Sequence, residues 1–187
     1  FIVLGFLNFL PFSKHLHVIV AAPNVWFSKM EPRGKLSTLN LEDESVVKFG
    51  AEKAEEFSWK NLLDSFACTE CGRCNEFCPT ATTGKALKPK SLMIEMRAAI
   101  AERGPVLLKL AGHGAVLPAD EVALSKLSDQ ERAIYAKDLV PDTYSSELVW
   151  DCTTCGACVE ACPVLIDHVD AIVDMRRALV LNKGSNP

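Results

Sequence analysis

Several absences narrow the reading of this chain of 187 residues before any motif is considered. No run of alternating β-branched residues is long enough for a sheet, so a mainly α fold is expected. No apolar stretch reaches the about 20 residues that a bilayer-spanning helix needs; residues 1–12, FIVLGFLNFLPF, are apolar but too few. The net charge is only −4 and no basic face is clustered, which argues against a nucleic-acid binder. The apolar start has neither a basic leader nor a small-residue cleavage site, so it does not read as a secretory signal. A hydrophobic fraction of 49% against 24% charged residues excludes a disordered chain. Finally, no cysteine lies outside two short stretches, and no two cysteines are adjacent.

Those two stretches are copies of one another. The first places Cys68, Cys71, Cys74 and Cys78 before Pro79; the second places Cys152, Cys155, Cys158 and Cys162 before Pro163. Each reads C-x2-C-x2-C-x3-C-P, the spacing that holds 4Fe–4S clusters in bacterial ferredoxins. Written out, CTECGRCNEFCP and CTTCGACVEACP agree at eight of twelve positions. A disulfide scaffold fits poorly, because x2 spacings put neighbouring cysteines side by side in one loop. Zinc prefers two separated pairs, and three successive x2 spacings followed by Cys-Pro are unusual for it.

In two-cluster ferredoxins the fourth cysteine of each run binds the other cluster. Applied here, one cluster takes Cys68, Cys71, Cys74 and Cys162, and the other takes Cys152, Cys155, Cys158 and Cys78. All four irons of each cube would then carry a protein thiolate, which suits single-electron transfer and leaves no iron open to substrate. Neither an acid–base constellation nor another catalytic residue is visible. Gly72 and Gly156 follow the second cysteine of each run, where backbone must approach the cube closely. Pro79 and Pro163 turn the chain without leaving an N–H unsatisfied.

The rest of the chain reads in three parts. Residues 1–29 look like the end of a transmembrane helix followed by an interfacial segment. Lys14, His15 and His17 would mark the interface, Pro23 would break the amphipathic stretch, and Trp26 would sit at headgroup level. Lys29, Arg33 and Lys35 follow, which by the positive-inside rule puts the remainder in the cytoplasm. The chain opens at Phe1 inside an apolar run and reads as a piece of a longer polypeptide. Residues 30–56 are charged and aperiodic, an extended linker whose acidic run Glu42-Asp43-Glu44 is a solvated face.

Residues 57–187 form the cluster domain. Ser58 caps a helix carrying Trp59, Leu62, Leu63 and Phe66. Ser91–Arg103 is a second helix with Gly104-Pro105 as its stop. Residues 105–127 give no clear pattern. A capping box at Ser128–Glu131 opens a helix to about Leu139. A short helix through Leu148–Trp150 presents the second motif, and Asp167 caps a last helix with Val169, Ile172, Val173, Arg176 and Leu179. Between Cys78 and Cys152 lie 73 residues, far more than a small two-stranded ferredoxin allows. Among the histidines, His113 and His168 read as structural. His15 and His17 lie where a membrane helix would end, in reach of the interface or of a haem.

The paired CTxCGxCxExCP motifs, the helical spacer and the tail VDAIVDMRRALVLNKG resemble the membrane-anchored iron–sulfur oxidoreductases related to heterodisulfide reductase, a family that includes electron-transfer-flavoprotein:menaquinone oxidoreductases. LPFSKHLHVIVAAPNVWF resembles the end of a cytochrome b domain of the nitrate reductase gamma type. There the motif Pro-Phe/Tyr-Ser-x-x-x-His falls on Pro11, Phe12, Ser13 and His17, which implies His17 as a haem b ligand. The resemblance implies an α-helical ferredoxin domain that relays electrons between a cytoplasmic redox partner and haem b or membrane quinone. It also implies partners such as a flavoprotein or a CCG-type domain, and a place on the cytoplasmic face of the cell membrane. The substrate-handling part would lie outside this stretch. Two simpler expectations stand beside it: a soluble ferredoxin-like carrier, and a zinc-stabilised interaction module.

Overall fold

A computed structural model describes residues 1–13, 15–32, 34–42, 48–112 and 121–185. Lys14, Arg33, Asp43, Glu44 and His113 lie outside the described residues. Among those described, every regular element is helical and there is no strand.

The N-terminal segment consists of two helices, α1 (Ile2–Phe9) and α2 (Leu16–Trp26), separated by a tight turn over Leu10–Phe12 and an extended Ser13. Pro23 does not break α2 but lies within it. Its missing N–H costs the bond to the carbonyl of Ile19, an exposed residue, where water can replace it. No helix among the described residues is long and apolar enough to cross a membrane.

Helix α2 is tied to α3 (Trp59–Ala67) by a buried polar node. The fully buried Asn24 donates through Nδ2 to Asp64 Oδ1 at 2.9 Å and to the Val164 carbonyl at 2.9 Å. Lys60 Nζ donates to Asn24 Oδ1 at 3.0 Å and to Asp64 Oδ1 at 2.6 Å. Burial raises the Asp64 pKa despite the Lys60 charge and the donors around it. Asn24 therefore joins the N-terminal segment to the residue just after the second motif, and α3 has the Ser58 cap expected, with Ser58 Oγ accepting from Asn61 N.

After α3 come two short helices, α4 (Arg73–Glu76) and α5 (Pro79–Thr82), and then the long α6 (Pro89–Gly112). Gly104-Pro105 does not end α6. Val106 and Leu110, beyond the proline, are buried against Ala123 of α7 (Glu121–Ser125) and against Leu127, and this packing outweighs one lost backbone bond at the exposed Ala101. The capping box at Ser128 and Glu131 is present, and α8 runs Asp129–Ala136, three residues short of the expected end. Buried Arg103 fastens α6 to its surroundings: it grips Glu55 with two bonds at 2.8 and 2.6 Å and donates to the carbonyls of Ile134 and Lys137.

The last elements are α9 (Ser146–Trp150), α10 (Ala157–Glu160) and α11 (His168–Arg177). The main core gathers Leu87, Leu92, Met93 and Met96 from before and within α6 with Tyr144, Val149, Ile166, Ile172 and Met175. The Tyr144 hydroxyl donates to the Leu92 carbonyl at 2.7 Å. Parts of the segment before α3 lie against α11: Arg177 donates to the Ser37 hydroxyl, and Ala51 N donates to the Asp174 carbonyl. Gly50 makes this possible. It sits at φ +74°, and a Cβ there would stand 2.2 Å from the Asp174 carbonyl oxygen.

Candidate iron–sulfur centres

Both cysteine motifs fold into the same local structure. Glu70 and Thr154, just before each second cysteine, take left-handed φ values of 57° and 53°. Gly72 and Gly156, just after it, are left-handed at 84° and 75° and open α4 and α10. Alternating hand turns successive backbone N–H groups toward one side, a concavity suited to an anion. The first benefits are visible at sulfur. Thr154 N donates to Cys152 Sγ at 3.4 Å, and the Glu70 amide does the same for Cys68. Ile166 N donates to Cys162 Sγ at 3.4 Å, after Leu165 at φ 57°.

The eight cysteines are unpaired and divide between two cavities. One, of about 280 Å³, is lined by Cys68, Cys71, Cys74 and Cys162. The other, of about 290 Å³, is lined by Cys78, Cys152, Cys155 and Cys158. Each thus combines three cysteines of one motif with the fourth of the other. In each, one cysteine reaches the surface, Cys71 in the first and Cys155 in the second. Among the described residues, no group of three or more His, Cys, Asp or Glu side chains closes around a point as a single metal ion requires. The thiols surround a space, which suits a multi-iron cube.

Electrostatics point the same way. Burial is the main cause that pushes the Cys74 thiol up to about 11, with Cys68, Cys162 and Cys71 adding to it. Cys158 is pushed up to about 12, again by burial first and then by Cys152, Cys78 and neighbouring cysteines. Cys68, Cys152 and Cys162 are also raised, chiefly by burial. Cys155 is lowered, mainly by the Ala157 amide and the Thr153 side chain. Four crowded thiolates, most of them desolvated, need a cationic core, and binding one would release their protons. The residues present therefore fit a cluster in each cavity.

Two side chains that the sequence did not single out for the site belong to it. His168, 1% exposed, lines the first cavity, and its Nδ1 has no partner among the described residues. Burial lowers its pKa to about 4, against the Asp167 charge and the Ile166 carbonyl, so the ring is neutral. Arg176 holds the turn into the second motif. It donates to the carbonyls of Val149, Trp150 and Cys152, the last at 2.6 Å, and its guanidinium lies 5.0 Å from the Trp150 ring centre. In the sequence it falls on the core-facing side of the last helix, and the hint of its role is an arginine on an otherwise apolar face. His17 lies in the first turn of α2 and is half-buried.

This is the architecture of a two-cluster iron–sulfur protein. The sequence profile described as a 4Fe-4S dicluster domain matches residues 67–166, and the chain belongs to that family. It is 39% identical over 192 residues to a probable iron-sulfur-binding oxidoreductase, FadF, of Bacillus subtilis, covering 97% of this chain and 27% of that protein. To the EtfAB:quinone oxidoreductase of Syntrophomonas wolfei it is 39% identical over 184 residues, 97% of this chain and 25% of the relative. A probable membrane-anchored ferredoxin of Chromohalobacter salexigens is 40% identical over 152 residues, 81% of this chain and 22% of the relative. The chain thus spans about a quarter of the length of these relatives. No solved structure matches it.

Proposed function

We propose that this chain is the electron relay of a membrane-bound iron–sulfur oxidoreductase. Cys68, Cys71, Cys74 and Cys162 would hold one 4Fe–4S cluster, and Cys78, Cys152, Cys155 and Cys158 the other. Bound there, the clusters supply one-electron chemistry. The protein's own part is to hold them close, to donate amides to the sulfurs, and to keep water from the space between. The observation that carries this reading is the pair of four-cysteine cavities, joined where Cys74 of one and Cys158 of the other pack in one hydrophobic cluster, with a surface-reaching cysteine at each.

The membrane side of the proposal rests on α1 and α2. Ile2, Val3, Leu4, Phe6, Leu7 and Phe9 are all more than half exposed, as are Val18 and Trp26. Water is a poor neighbour for such a surface, and lipid or further apolar helices a good one. We place this segment at the cytoplasmic face of the cell membrane, with His17 offering an imidazole to a haem b shared with helices outside this stretch. Electrons would then pass between a cytoplasmic partner, such as a flavoprotein or CCG-type domain, and the quinone pool. The name of the relative from Syntrophomonas wolfei, an EtfAB:quinone oxidoreductase, supports that pairing.

Anaerobic purification tests the relay directly. The protein should be brown, carry about eight irons and eight sulfides per chain, and bleach with dithionite. A colourless protein holding zinc and indifferent to dithionite would overturn the proposal in favour of an interaction module. Clusters together with full solubility of the intact polypeptide without detergent would favour a soluble carrier.

A further inference from the structure

The turn after the second motif is held from both ends by residues that lie far from it in the chain. Val164 and Ile166 line the first cysteine cavity, and Leu165 between them sits at φ 57°, left-handed backbone that a non-glycine residue adopts at a cost. This conformation aims the Ile166 amide at Cys162 Sγ, 3.4 Å away. At one end of the turn Asn24 Nδ2 donates to the Val164 carbonyl at 2.9 Å; at the other, Asp167 N donates to Asp64 Oδ2 at 3.3 Å. The two holders are bonded to each other, Asn24 Nδ2 to Asp64 Oδ1 at 2.9 Å, and both are buried. We propose that Asn24 and Asp64 are positioning residues that set the reduction potential of the first cluster by fixing the N–H···S bond to Cys162, an assignment that rests on the relay reading.

The chemistry follows from what the clamp holds. Backbone strained in this way persists only where its surroundings over-determine it. Lys60 completes the surroundings by donating to Asn24 Oδ1 at 3.0 Å and to Asp64 Oδ1 at 2.6 Å, which fixes both acceptors. An amide N–H donated to a ligating thiolate withdraws electron density from the sulfur and favours the reduced, more negative cluster, so it raises the potential. Burial raises the Cys162 thiol, the Ile166 and Val164 amides lower it as donors aimed at its sulfur do, and the Asp64 charge adds to the rise. Without the clamp, Leu165 relaxes to an ordinary φ, the Ile166 N–H turns away from sulfur, and the potential falls.

The first motif has no such turn. After Cys78 the chain enters α5 directly at Pro79, and every described residue that lines the second cavity lies at or after Cys78. The N-terminal segment, through Asn24 of α2, therefore bears on one cluster and not on the other.

The test is a redox titration of the anaerobically purified chain with its clusters in place, followed by electron paramagnetic resonance (EPR). Asn24 is the residue to change, because Asp64 also acts on Cys162 through its charge. Asn24→Leu keeps the side-chain size, leaves the charge as it was and removes both donations. It should shift the reduction equilibrium of one cluster about tenfold toward the oxidised form, ~59 mV for one electron, and leave the other in place. The cluster affected should be the one that Cys162→Ser alters, and hydrogen exchange at the Ile166 amide should quicken. Asn24→Ser, too short to make the same bonds, takes its place if the leucine variant does not fold. Glycine adopts a left-handed φ without cost, so Leu165→Gly added to either variant should recover at least half of the shift. Unchanged potentials in a folded variant with full iron, an equal shift of both clusters, or no recovery with Leu165→Gly would each overturn the proposal while leaving the relay intact. A wild-type chain without clusters would overturn the relay, and this assignment with it.

Discussion

Cys74 and Cys158 face different cavities yet pack into one hydrophobic cluster with Val159 and Val169. Each is the third cysteine of its motif, and each is buried. Burial is the main reason that both thiols are raised, and Cys74 adds a smaller part to the shift at Cys158. Their closeness places the two candidate clusters on either side of a thin apolar wall. Leu36 and Val173, both partly buried, pack against that wall.

The crossed ligation we propose would make the fold depend on its cofactors. Cys162 closes the first cavity and Cys78 the second, so each cluster would tie together residues 74 to 94 positions apart in a chain with no disulfide. Removal of iron with a chelator under mild oxidation should therefore open the domain. Limited proteolysis, monitored by mass spectrometry, should then cut around both motifs, which resist cleavage in the intact protein. Unchanged protection after full iron loss would contradict this dependence.

Arg176 should tune the second cluster. No carboxylate pairs with its guanidinium among the described residues, whereas Arg97, near the first cavity, is paired with Glu70. An unpaired positive charge near Cys152 favours the reduced, more negative cluster. Arg176→Met is expected to lower the reduction potential of one cluster only, with Arg176→Lys intermediate. Arg97→Met should change neither by as much. Potentials followed by EPR during a redox titration would read this out.

Arg103 is the main polar tie among α6, α8 and the segment before α3. It is 4% exposed, grips Glu55 with two bonds and satisfies two carbonyls. Arg103→Leu leaves a half-buried carboxylate and two carbonyls without their donor, and should destabilise the protein by about 3–5 kcal/mol. The visible spectrum of the folded fraction should remain that of the wild type, because no cysteine-lined cavity includes Arg103. Thermal denaturation measured anaerobically gives both readings.

Gly50 seats the preceding segment on α11. Gly50→Ala forces a Cβ against the Asp174 carbonyl and the Ala178 amide at a left-handed φ. A loss of about 1–3 kcal/mol is expected, and hydrogen exchange should show the Ala51 amide, bonded to the Asp174 carbonyl, losing protection first.

Much of this was legible in the sequence because the relevant signals are local. The Ser58 and Asp167 caps and the Ser128–Glu131 box each involve residues three apart, and all are present. The repeat of the cysteine spacing is likewise local, and it indicated the two groups of four that the cavities collect. What could not be read depends on distant partners. Pro105 looks like a helix stop until Val106 and Leu110 are seen against Ala123 and Leu127. Pro23 looks like a break until Asn24 beside it is found bonded to Asp64 and Val164, 40 and 140 residues away. His168 reads as structural because nothing in its sequence neighbours indicates that it lines the first cavity. Arg176 shows its role only through carbonyls 24 to 27 residues earlier.

In the proposed relay, two 4Fe–4S clusters sit side by side across the Cys74–Cys158 wall. EPR of the dithionite-reduced, anaerobically purified protein tests it most directly. Two paramagnetic clusters per chain are expected, with signals that broaden and split through mutual coupling. In Cys162→Ser the centre of Cys68, Cys71 and Cys74 should be altered, and in Cys78→Ser the other. A reduced protein with no such signal, or with two clusters that behave as magnetically isolated, would contradict it.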